Sequence, residues 1–210
     1  NGSVTTQTQV VSEILGIPMS HIECVQADTD ATLWDMGNYS SRGTFVSCSA
    51  ALKVAGQVKT ELFKEASGLL EVDESELDLK DQRVYCTFRP DTSASLAEVI
   101  KYAKQAHGRD ICCADTFASC AMAVSYGAHF AKVQVDMENG SVKVLDYTAV
   151  HDIGKALNPM GVEGQIEGAV QMGIGYALTE GFILDDKGKV KNTTLKQYHM
   201  LNAQEMPPIK

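Results

Sequence analysis

The stretch that decides the fold runs from His151 to Phe182 and reads HDIGKALNPMGVEGQIEGAVQMGIGYALTEGF. Apolar residues with helical spacing mark one face, namely Val162, Ile166, Ala169, Val170, Ile174, Ala177 and Leu178. Five glycines interrupt the same stretch, namely Gly161, Gly164, Gly168, Gly173 and Gly175. Each glycine costs about 1 kcal/mol relative to alanine in a helix. The pattern therefore predicts either a tightly packed buried helix or a helix whose backbone a ligand approaches closely.

The start of this helix is marked by Asn158-Pro159. Proline is tolerated in the first helical turn because its missing N–H has no partner there. The N–H groups that follow are free to face an anion.

Composition and charge limit the possible functions. Hydrophobic residues make up 44% and charged residues 21% of the 210 residues, which predicts a folded, soluble protein. A net charge of -9 argues against binding to a nucleic-acid backbone. Because the sequence shows neither an 18-residue apolar run nor a basic and apolar leader, we expect no membrane span, no secretion and a cytoplasmic location.

The six cysteines occur at positions 24, 48, 86, 112, 113 and 120, and none forms a CxxC pair. This spacing argues against zinc ribbons, thioredoxin-like sites and iron–sulfur loops. We expect free thiols in a reducing compartment. Cys112 and Cys113 are interpreted as small apolar residues, with a redox or metal-binding role as the alternative.

The organisation of the chain predicts an α+β fold of mixed sheets packed on helices, in two subdomains over 1–112 and 113–210. The first subdomain is expected to start with a helix over 4–15 that ends at Gly16, a strand over 21–27 and a loop over 28–38. A long helix from Ser41 to Gly68 and a strand over 81–88 follow. The last element is a helix over 93–107, which Ser93 or Ser95 caps and Gly108 ends. The chain starts within a helical pattern and stops without a terminating element, so we expect the second subdomain to be incomplete at its C-terminus.

The second subdomain is expected to begin with a hairpin. Its predicted strands cover 121–136 and 142–150, and Asn139-Gly140 between them suits a type I′ turn. The glycine-rich helix follows, and then two short strands, 182–184 and 189–191, flank a turn over 185–188.

A candidate anion site lies at Gly37–Thr44, GNYSSRGT, immediately before the long helix. Backbone N–H groups, the helix dipole and the Ser41 or Thr44 hydroxyl can donate to phosphate oxygens, and Arg42 can pair with them bidentately. The segment lacks the P-loop pattern, so ATP hydrolysis is not supported. The alternative is an ordinary helix cap with Arg42 solvated or paired to one of three carboxylates, Asp28, Asp30 or Asp35.

The sequence gives less support for catalytic or metal-binding residues than for the anion site. His151-Asp152 suggests a base or a metal ligand, but neither His129 nor His199 has a spacing that brings it there, so we expect His151 to bond to backbone and name no metal ligand. Glu163 and Glu167 lie one helical turn apart and are expected to form a solvated ridge. Neither they nor Glu180 is named as a catalytic base, and no nucleophile motif is present.

Three blocks of the sequence resemble one family, and they occur in that family's order. The run VHDIGKALNPMGVEGQIEGAVQMGIGYALTE, the run DTDATLWDMGNYSSRGTFVSCSAA and the start Asn1-Gly2 followed by TTQTQVVSEILGIP are similar to the molybdenum hydroxylases, the superfamily of xanthine dehydrogenase and aldehyde oxidase. The second block is closest in pattern to carbon monoxide dehydrogenase large subunits. The resemblance identifies the chain as part of the second molybdopterin-binding domain of a large subunit.

The resemblance implies a cofactor and its binding residues. The family holds molybdopterin with molybdenum, usually as a cytosine dinucleotide in bacterial members, and the matching positions here are Gly2, Ser40, Ser41, Arg42, Thr44 and Gln165. Ser40 matches a small residue close to the metal. The implied partners are the rest of the molybdenum subunit, iron–sulfur and flavin subunits or domains, and a small-molecule substrate.

The resemblance also implies what the parent protein does. We expect an oxidoreductase that hydroxylates a purine, an aromatic heterocycle or an aldehyde with water as the oxygen source. Asn1 stands where the family has glutamine, and the family's catalytic glutamate lies beyond Pro207-Pro208, so no residue here is named as catalytic and this part alone is expected to be inactive. The alternatives are a non-catalytic scaffold or assembly subunit with the same fold, and an anion-binding module unrelated to molybdenum.

Overall fold

The computed structural model describes residues 2–26, 28–119, 121 and 124–210. Asn1, Ala27 and Cys120, together with 122–123 of the predicted hairpin strand, lie outside the described residues. The chain divides into two compact units, Gly2–Ala123 and Val124–Lys210, here called the first and the second unit. The subdomain boundary predicted between 112 and 113 precedes this division.

The first unit combines three helices with a small antiparallel sheet. Its elements in chain order are α1 (Ser3–Leu15), α2 (Gly43–Leu70), β1 (Leu77–Lys80), β2 (Arg83–Cys86), β3 (Ser93–Ser95) and α3 (Leu96–His107). The strands pair in the order β1-β2-β3. Alternation brings Leu77, Leu79 and Val84 into one core with Leu62 and Val99 from the helices.

Helix ends in this unit follow local rules. Gly16 ends α1 in the left-handed conformation at φ 57°, and Gly108 ends α3 in the same way. Ser95 begins α3 with a capping box, because its hydroxyl accepts from the Glu98 N–H while the Glu98 carboxylate accepts from the Ser95 N–H. The alternative cap, Ser93, lies in β3 instead.

Two predictions about α2 are wrong. The helix begins at Gly43 rather than Ser41, because Ser41 adopts a left-handed conformation. It continues past Gly68 to Leu70, and Glu71 ends it. Gly68 serves packing instead, since a Cβ there would lie 2.9 Å from the Tyr102 hydroxyl of α3.

Two predictions about strands of this unit are also wrong. A 3-10 turn covers Met19–His21, and residues 22–26 belong to no strand because no described segment pairs with them. The strand expected over 81–88 is half of a hairpin: Asp81 and Gln82 form its turn with φ 50° and 61°, and β1 precedes them.

We expect opposite effects from two glycine substitutions. Gly16→Ala should destabilise the α1 end by about 1 kcal/mol, because a Cβ is disfavoured at positive φ. Gly56→Ala should stabilise α2 by up to about 1 kcal/mol, because nothing lies within 4 Å of the added Cβ. Hydrogen exchange of peptides from α1 and α2 in the full-length protein measures both, and unchanged α1 protection in Gly16→Ala would contradict the first.

The second unit contains a long hairpin and the glycine-rich helix. Its elements are β4 (Tyr126–Val135), β5 (Val142–Asp152), α4 (Pro159–Leu178) and α5 (Leu195–Tyr198). The hairpin and the glycine-rich helix are confirmed, and the expected pair of short strands is reduced to one bridge between Leu184 and Val190. Residues 208–210 pair with β5 in parallel, through Tyr147 and Ile209.

The hairpin turn differs from the predicted type I′ turn. The Asp136 N–H donates to the Ser141 carbonyl at 2.9 Å, and the Gly140 N–H donates to the Asp136 carbonyl at 2.8 Å. Gly140 has φ 73°, whereas Asn139 does not have the positive φ that a type I′ turn needs. The Asp136 carboxylate explains the longer turn, because it accepts from the Glu138 N–H and from the Asn139 side chain.

Candidate functional site

The start of α2 has an unusual backbone. Ser40 and Ser41 both adopt the left-handed conformation, with φ 53° and 51°, which L residues other than asparagine and aspartate rarely adopt. The Arg42 N–H donates to the Tyr39 carbonyl at 3.3 Å, so the chain turns tightly before Gly43 begins the helix. Strain of this kind concentrates at functional sites.

The first turn of α2 has unused N–H donors. The first backbone bond into the helix is from the Val46 N–H to the Arg42 carbonyl, at 3.0 Å. Within the described part of the chain, the N–H groups of Gly43, Thr44 and Phe45 have no acceptor, no side chain caps the helix and its first turn holds no acidic residue. The positive end of a 28-residue helix therefore has unused donors for an anion, beside the Asn38 side-chain oxygen that lies against Gly43.

The side chains around this helix start are donors as well. The hydroxyls of Ser40, Ser41 and Thr44 are exposed and make no hydrogen bond with another described residue. The Arg42 guanidinium lies over the Tyr39 ring, 4.8 Å from its centroid, which supports it without using its N–H groups. These donors and one cation surround the open helix end.

The alternative pairing of Arg42 with a loop carboxylate is wrong. Two of the three carboxylates bind backbone amides of their own loop: Asp28 accepts from the Asp30 N–H at 2.9 Å, and Asp35 accepts from the Gly37 N–H at 2.5 Å. Arg42 forms no ion pair with any residue that the structure describes. It remains available to a ligand.

Gly2 precedes α1, which packs on α2. Its φ is 77°, and its carbonyl accepts from the Thr6 N–H at 3.1 Å. A positive φ at this position favours glycine.

The segment after α3 runs back along α2 and is fixed by ion pairs. The buried Glu65 carboxylate accepts from Arg109 at 2.5 Å and from His107 at 2.8 Å. Burial by itself would raise the pKa of Glu65, but these hydrogen bonds and charges outweigh it and hold the pKa below its ordinary value.

Nearer the start of α2, Asp115 binds Lys53 at 2.8 Å and Gln57 at 2.7 Å. Its pKa is lowered to about 2, chiefly by the Lys53 hydrogen bond and then by the Thr116 N–H. Phe117 packs edge-on against Phe45, with ring centroids 6.0 Å apart, in the first turn of the helix. The segment therefore braces the end of α2 that carries the candidate site.

Gln165 lies on α4 in the second unit. It is exposed and faces away from the buried Ile174, which lies about half a helical turn round the axis. Among the residues that the structure describes, none forms a hydrogen bond with its side-chain amide. Gly161 and Gly168 share its helix face, because they lie four positions before and three positions after it.

The glycines of α4 fall into two groups. In the first group, Gly161 leaves room for the Asn158 side chain, whose oxygen accepts a hydrogen bond from the Gly161 N–H at 3.2 Å and so caps the start of the helix. Gly175 leaves room for the Glu180 carboxylate. The second group has nothing within 4 Å of an added Cβ, and its members are Gly164, Gly168 and Gly173. Contacts inside this chain explain the first group and leave the second group's surface open.

The expectation for the helical stripe is confirmed in part. Val170 and Ile174 are buried, whereas Leu178 is 42% exposed. The expected carboxylate ridge is exposed at Glu163 and Glu167. A cleft of about 860 Å³ lies between the C-terminal half of α4, the start of β5 and residues 201–208.

The expectation that His151 bonds to backbone is wrong. The Nε2 atoms of His129 and His151 lie 2.8 Å apart, and His129 Nδ1 lies 3.1 Å from the Tyr147 hydroxyl. The hairpin register pairs His129 with Ala149 and Gly127 with His151, so the two histidines are diagonal neighbours on one face. The register shift between Lys132 and Val133 creates this contact, because pairs counted outward from the turn without it would place the two histidines on opposite faces of the hairpin.

The described ranges hold neither a clustered metal site nor a membrane-spanning helix. They contain no group of three or more His, Cys, Asp or Glu side chains that could hold a metal ion. No described helix is both long enough and apolar enough to cross a membrane. Of the six cysteines, the five that are described are free thiols.

Comparison with known proteins gives consistent matches. A sequence model of the molybdopterin cofactor-binding domain matches residues 1–207. The xanthine dehydrogenase molybdenum-binding subunit of Escherichia coli O157:H7 is 30% identical over 99% of this chain and 28% of its own length. The carbon monoxide dehydrogenase large chain of Hydrogenophaga pseudoflava is 28% identical over 98% of this chain and 26% of its own length.

The fold matches solved structures as well. The crystal structure of quinoline 2-oxidoreductase from Pseudomonas putida 86 superposes with a TM-score of 0.84 and 30% identity, over 100% of this chain and 27% of that one. The chain thus spans little more than a quarter of the length of these relatives.

Proposed function

The chain belongs to the molybdopterin cofactor-binding domain family, and from that membership we propose two cofactor-binding surfaces of a molybdenum hydroxylase large subunit, one in each unit, namely the start of α2 and the exposed face of α4. The observation that carries the proposal is the open N-terminus of α2, where three unused N–H groups adjoin three free hydroxyls and Arg42. Together these donors suit a phosphate or pyrophosphate group.

The residues fit such a group in three ways. Left-handed Ser40 and Ser41 turn the chain tightly, so that their hydroxyls and Arg42 adjoin the first turn of α2. The first turn of α2 contains no acidic side chain, so no negative charge in that turn would repel a phosphate. On α4, the open surface around Gln165 and Gly168 would let a flat, polar ligand approach the helix backbone.

We assign the binding residues accordingly. Ser41, Thr44 and Arg42 would bind the phosphate oxygens, Ser40 and Gly2 would let the cofactor approach the backbone, and Gln165 would donate and accept through its amide. When bound, the cofactor supplies the molybdenum centre at which the parent enzyme oxidises its substrate. The residues of this chain bind and orient the cofactor, and none is assigned as the catalytic base.

For the parent protein we propose hydroxylation of a purine, an aromatic heterocycle or an aldehyde with oxygen from water. The rest of the large subunit would cover the face of β4 that carries Tyr126 and Phe130, which are 70% and 63% exposed and lie on the side opposite His129. Iron–sulfur and flavin partners would carry the electrons. Free thiols at the described cysteines support a cytoplasmic location.

The proposal is tested by the cofactor content of the full-length protein. We expect about one molybdenum and one pterin per polypeptide, and Gln165→Ala should lower both about fivefold or more, because a ligand group left without its hydrogen-bond partner costs about 1–3 kcal/mol. Elemental analysis and pterin fluorescence after release measure the two contents.

Gln105→Ala provides the matched control, because Gln105 is exposed on α3. It should load normally. Full loading of Gln165→Ala would defeat the assignment of Gln165. A parent protein without molybdenum under molybdate-replete growth would instead support the non-catalytic scaffold.

A second prediction separates loading from stability. Gly168→Leu should strengthen the helix, since leucine is the better helix former and has open space there, yet it should reduce molybdenum content by covering the face around Gln165. Glu167→Leu, which is two positions from Gln165 and points elsewhere, should not reduce it. Equal molybdenum content in the two variants would contradict the prediction.

A further inference from the structure

A row of three side chains on the β4–β5 hairpin is not used by the proposed function. Tyr147, His129 and His151 contact one another in that order, with ring centroids 5.7 Å and 4.8 Å apart and both contacts edge-on. His129 is exposed and His151 is half-buried. The residues paired with these histidines are Ala149 and Gly127, which leave the face open above the rings.

The hydrogen bond to the Tyr147 hydroxyl orients the His129 ring and suits the tautomer that a metal ligand needs. When Nδ1–H donates to the Tyr147 hydroxyl, at 3.1 Å, the Nε2 atom has no proton and a free lone pair. Metal-binding histidines are oriented in the same way, by an acceptor on the nitrogen that does not bind the metal. The Nε2 atoms of His129 and His151 lie 2.8 Å apart and share one proton as a hydrogen bond, and a metal ion bound by both would take the place of that proton.

The backbone makes room for the second ring. A Cβ on Gly127 would lie 3.1 Å from both Nδ1 and Cε1 of His151, closer than a side chain tolerates without movement. Because Gly127 has no side chain, the His151 ring has room to reach the edge of the His129 ring. Among the described residues, the Nδ1 atom of His151 has no hydrogen-bond partner. His151 can therefore carry its proton on Nδ1, which leaves its Nε2 lone pair for a metal ion.

The distance between the two nitrogens suits particular metal ions. Two imidazole nitrogens bound in cis positions at about 2.05 Å and 90° are about 2.9 Å apart, whereas a tetrahedral ion separates them by about 3.3 Å. The observed separation is 2.8 Å. It is an ordinary hydrogen-bond distance, and it also lies nearer the value for square-planar or octahedral coordination than the tetrahedral value.

We propose that His129 and His151 bind a divalent transition-metal ion of the nickel or copper class, with Tyr147 as the positioning residue. Water completes the coordination, since the described residues offer no third His, Cys, Asp or Glu ligand. The site is independent of the molybdopterin assignment, because it uses none of the same residues.

The test uses the full-length protein, prepared without a histidine tag and titrated with Ni²⁺ by calorimetry. The wild type should bind one Ni²⁺ that both His129→Gln and His151→Gln lose. Tyr147→Phe should keep the site but weaken it about tenfold or more, because it removes only the orienting hydrogen bond. Cu²⁺ bound to the wild type should show an electron paramagnetic resonance signal split by two imidazole nitrogens.

His199→Gln is the matched control, because His199 is also exposed but its Nε2 atom pairs with Glu205 at 3.0 Å and contacts neither hairpin histidine. It should bind Ni²⁺ as the wild type does. The same Ni²⁺ stoichiometry in the wild type and in the two histidine variants, His129→Gln and His151→Gln, would overturn the proposal. A wild type that binds no Ni²⁺ would overturn it as well. The molybdenum content of all four variants should match the wild type, which separates failure of this site from failure of the cofactor site.

Discussion

Arg42→Glu is expected to reduce the molybdenum and pterin content of the full-length protein to about a tenth or less. A charge-assisted hydrogen bond contributes about 1.5–3 kcal/mol, which corresponds to roughly a 10- to 100-fold change in affinity. The substitution removes that bond and adds a negative charge where a phosphate would lie. Metal analysis of the purified protein gives the result.

The same substitution should leave the fold intact. A glutamate beside the N-terminus of α2 interacts favourably with the helix dipole, and Arg42 has no carboxylate partner among the described residues to lose. Loss of cofactor with unchanged hydrogen exchange in α2 would therefore identify a binding role. Loss of both would show that Arg42 supports the fold.

Two further variants refine this test. Arg42→Lys keeps the charge but not the bidentate geometry, so it should load to an intermediate level. Arg89→Glu reverses an exposed arginine far along the chain and should load normally. Normal loading of Arg42→Glu would remove Arg42 from the cofactor site.

Glu65→Ala is expected to destabilise the packing of α3 on α2 by about 2 kcal/mol. Removing one partner of a buried ion pair generally costs about 3–5 kcal/mol. The cost is smaller here because Arg109 and His107 are 41% and 51% exposed and regain water. Hydrogen exchange of peptides from both helices should accelerate about 30-fold.

Glu13→Ala serves as the control, since Glu13 is exposed on α1 and should change stability by less than about 0.5 kcal/mol. Equal protection of α2 in Glu65→Ala and wild type would contradict the expected effect. Molybdenum content should also fall in Glu65→Ala if the segment from Arg109 to Phe117 braces the start of α2.

The Glu65 ion pairs should depend on pH in a defined direction. Since folding lowers the pKa of Glu65, its stabilising contribution is complete above the ordinary value of about 4.5 and is lost as the pH falls through the lower folded value. Glu65→Gln removes this dependence. The difference in exchange rate between wild type and Glu65→Gln should therefore shrink on acidification below about pH 4.5, and a constant difference would contradict it.

The sequence predicted best where the structure is local. The end of α1 at Gly16, the capping box of Ser95 and Glu98 and the start of α4 at Asn158 all follow from contacts within four residues. The β4–β5 hairpin is predicted because its strands are adjacent along the chain. The family was also predicted from its motifs, and the match over residues 1–207 confirms it.

Predictions failed where a distant partner or a special backbone decides. The strand expected over 21–27 needs a neighbour that the described chain does not provide, and β1 pairs only because Asp81 and Gln82 turn the chain. The α2 start moved to Gly43 because Ser40 and Ser41 are left-handed, which their residue type does not signal.

By itself the sequence determined the helix and hairpin framework, the α+β class and the family, because periodicity, caps and motifs are written in neighbouring residues. Only the tertiary structure showed that Arg42 has no carboxylate partner within the described chain, that Glu65 is buried beside Arg109, and that the Nε2 atoms of His129 and His151 meet. Such contacts depend on how segments far apart in the chain pack and in which register strands pair, and both are set by the burial of the whole fold.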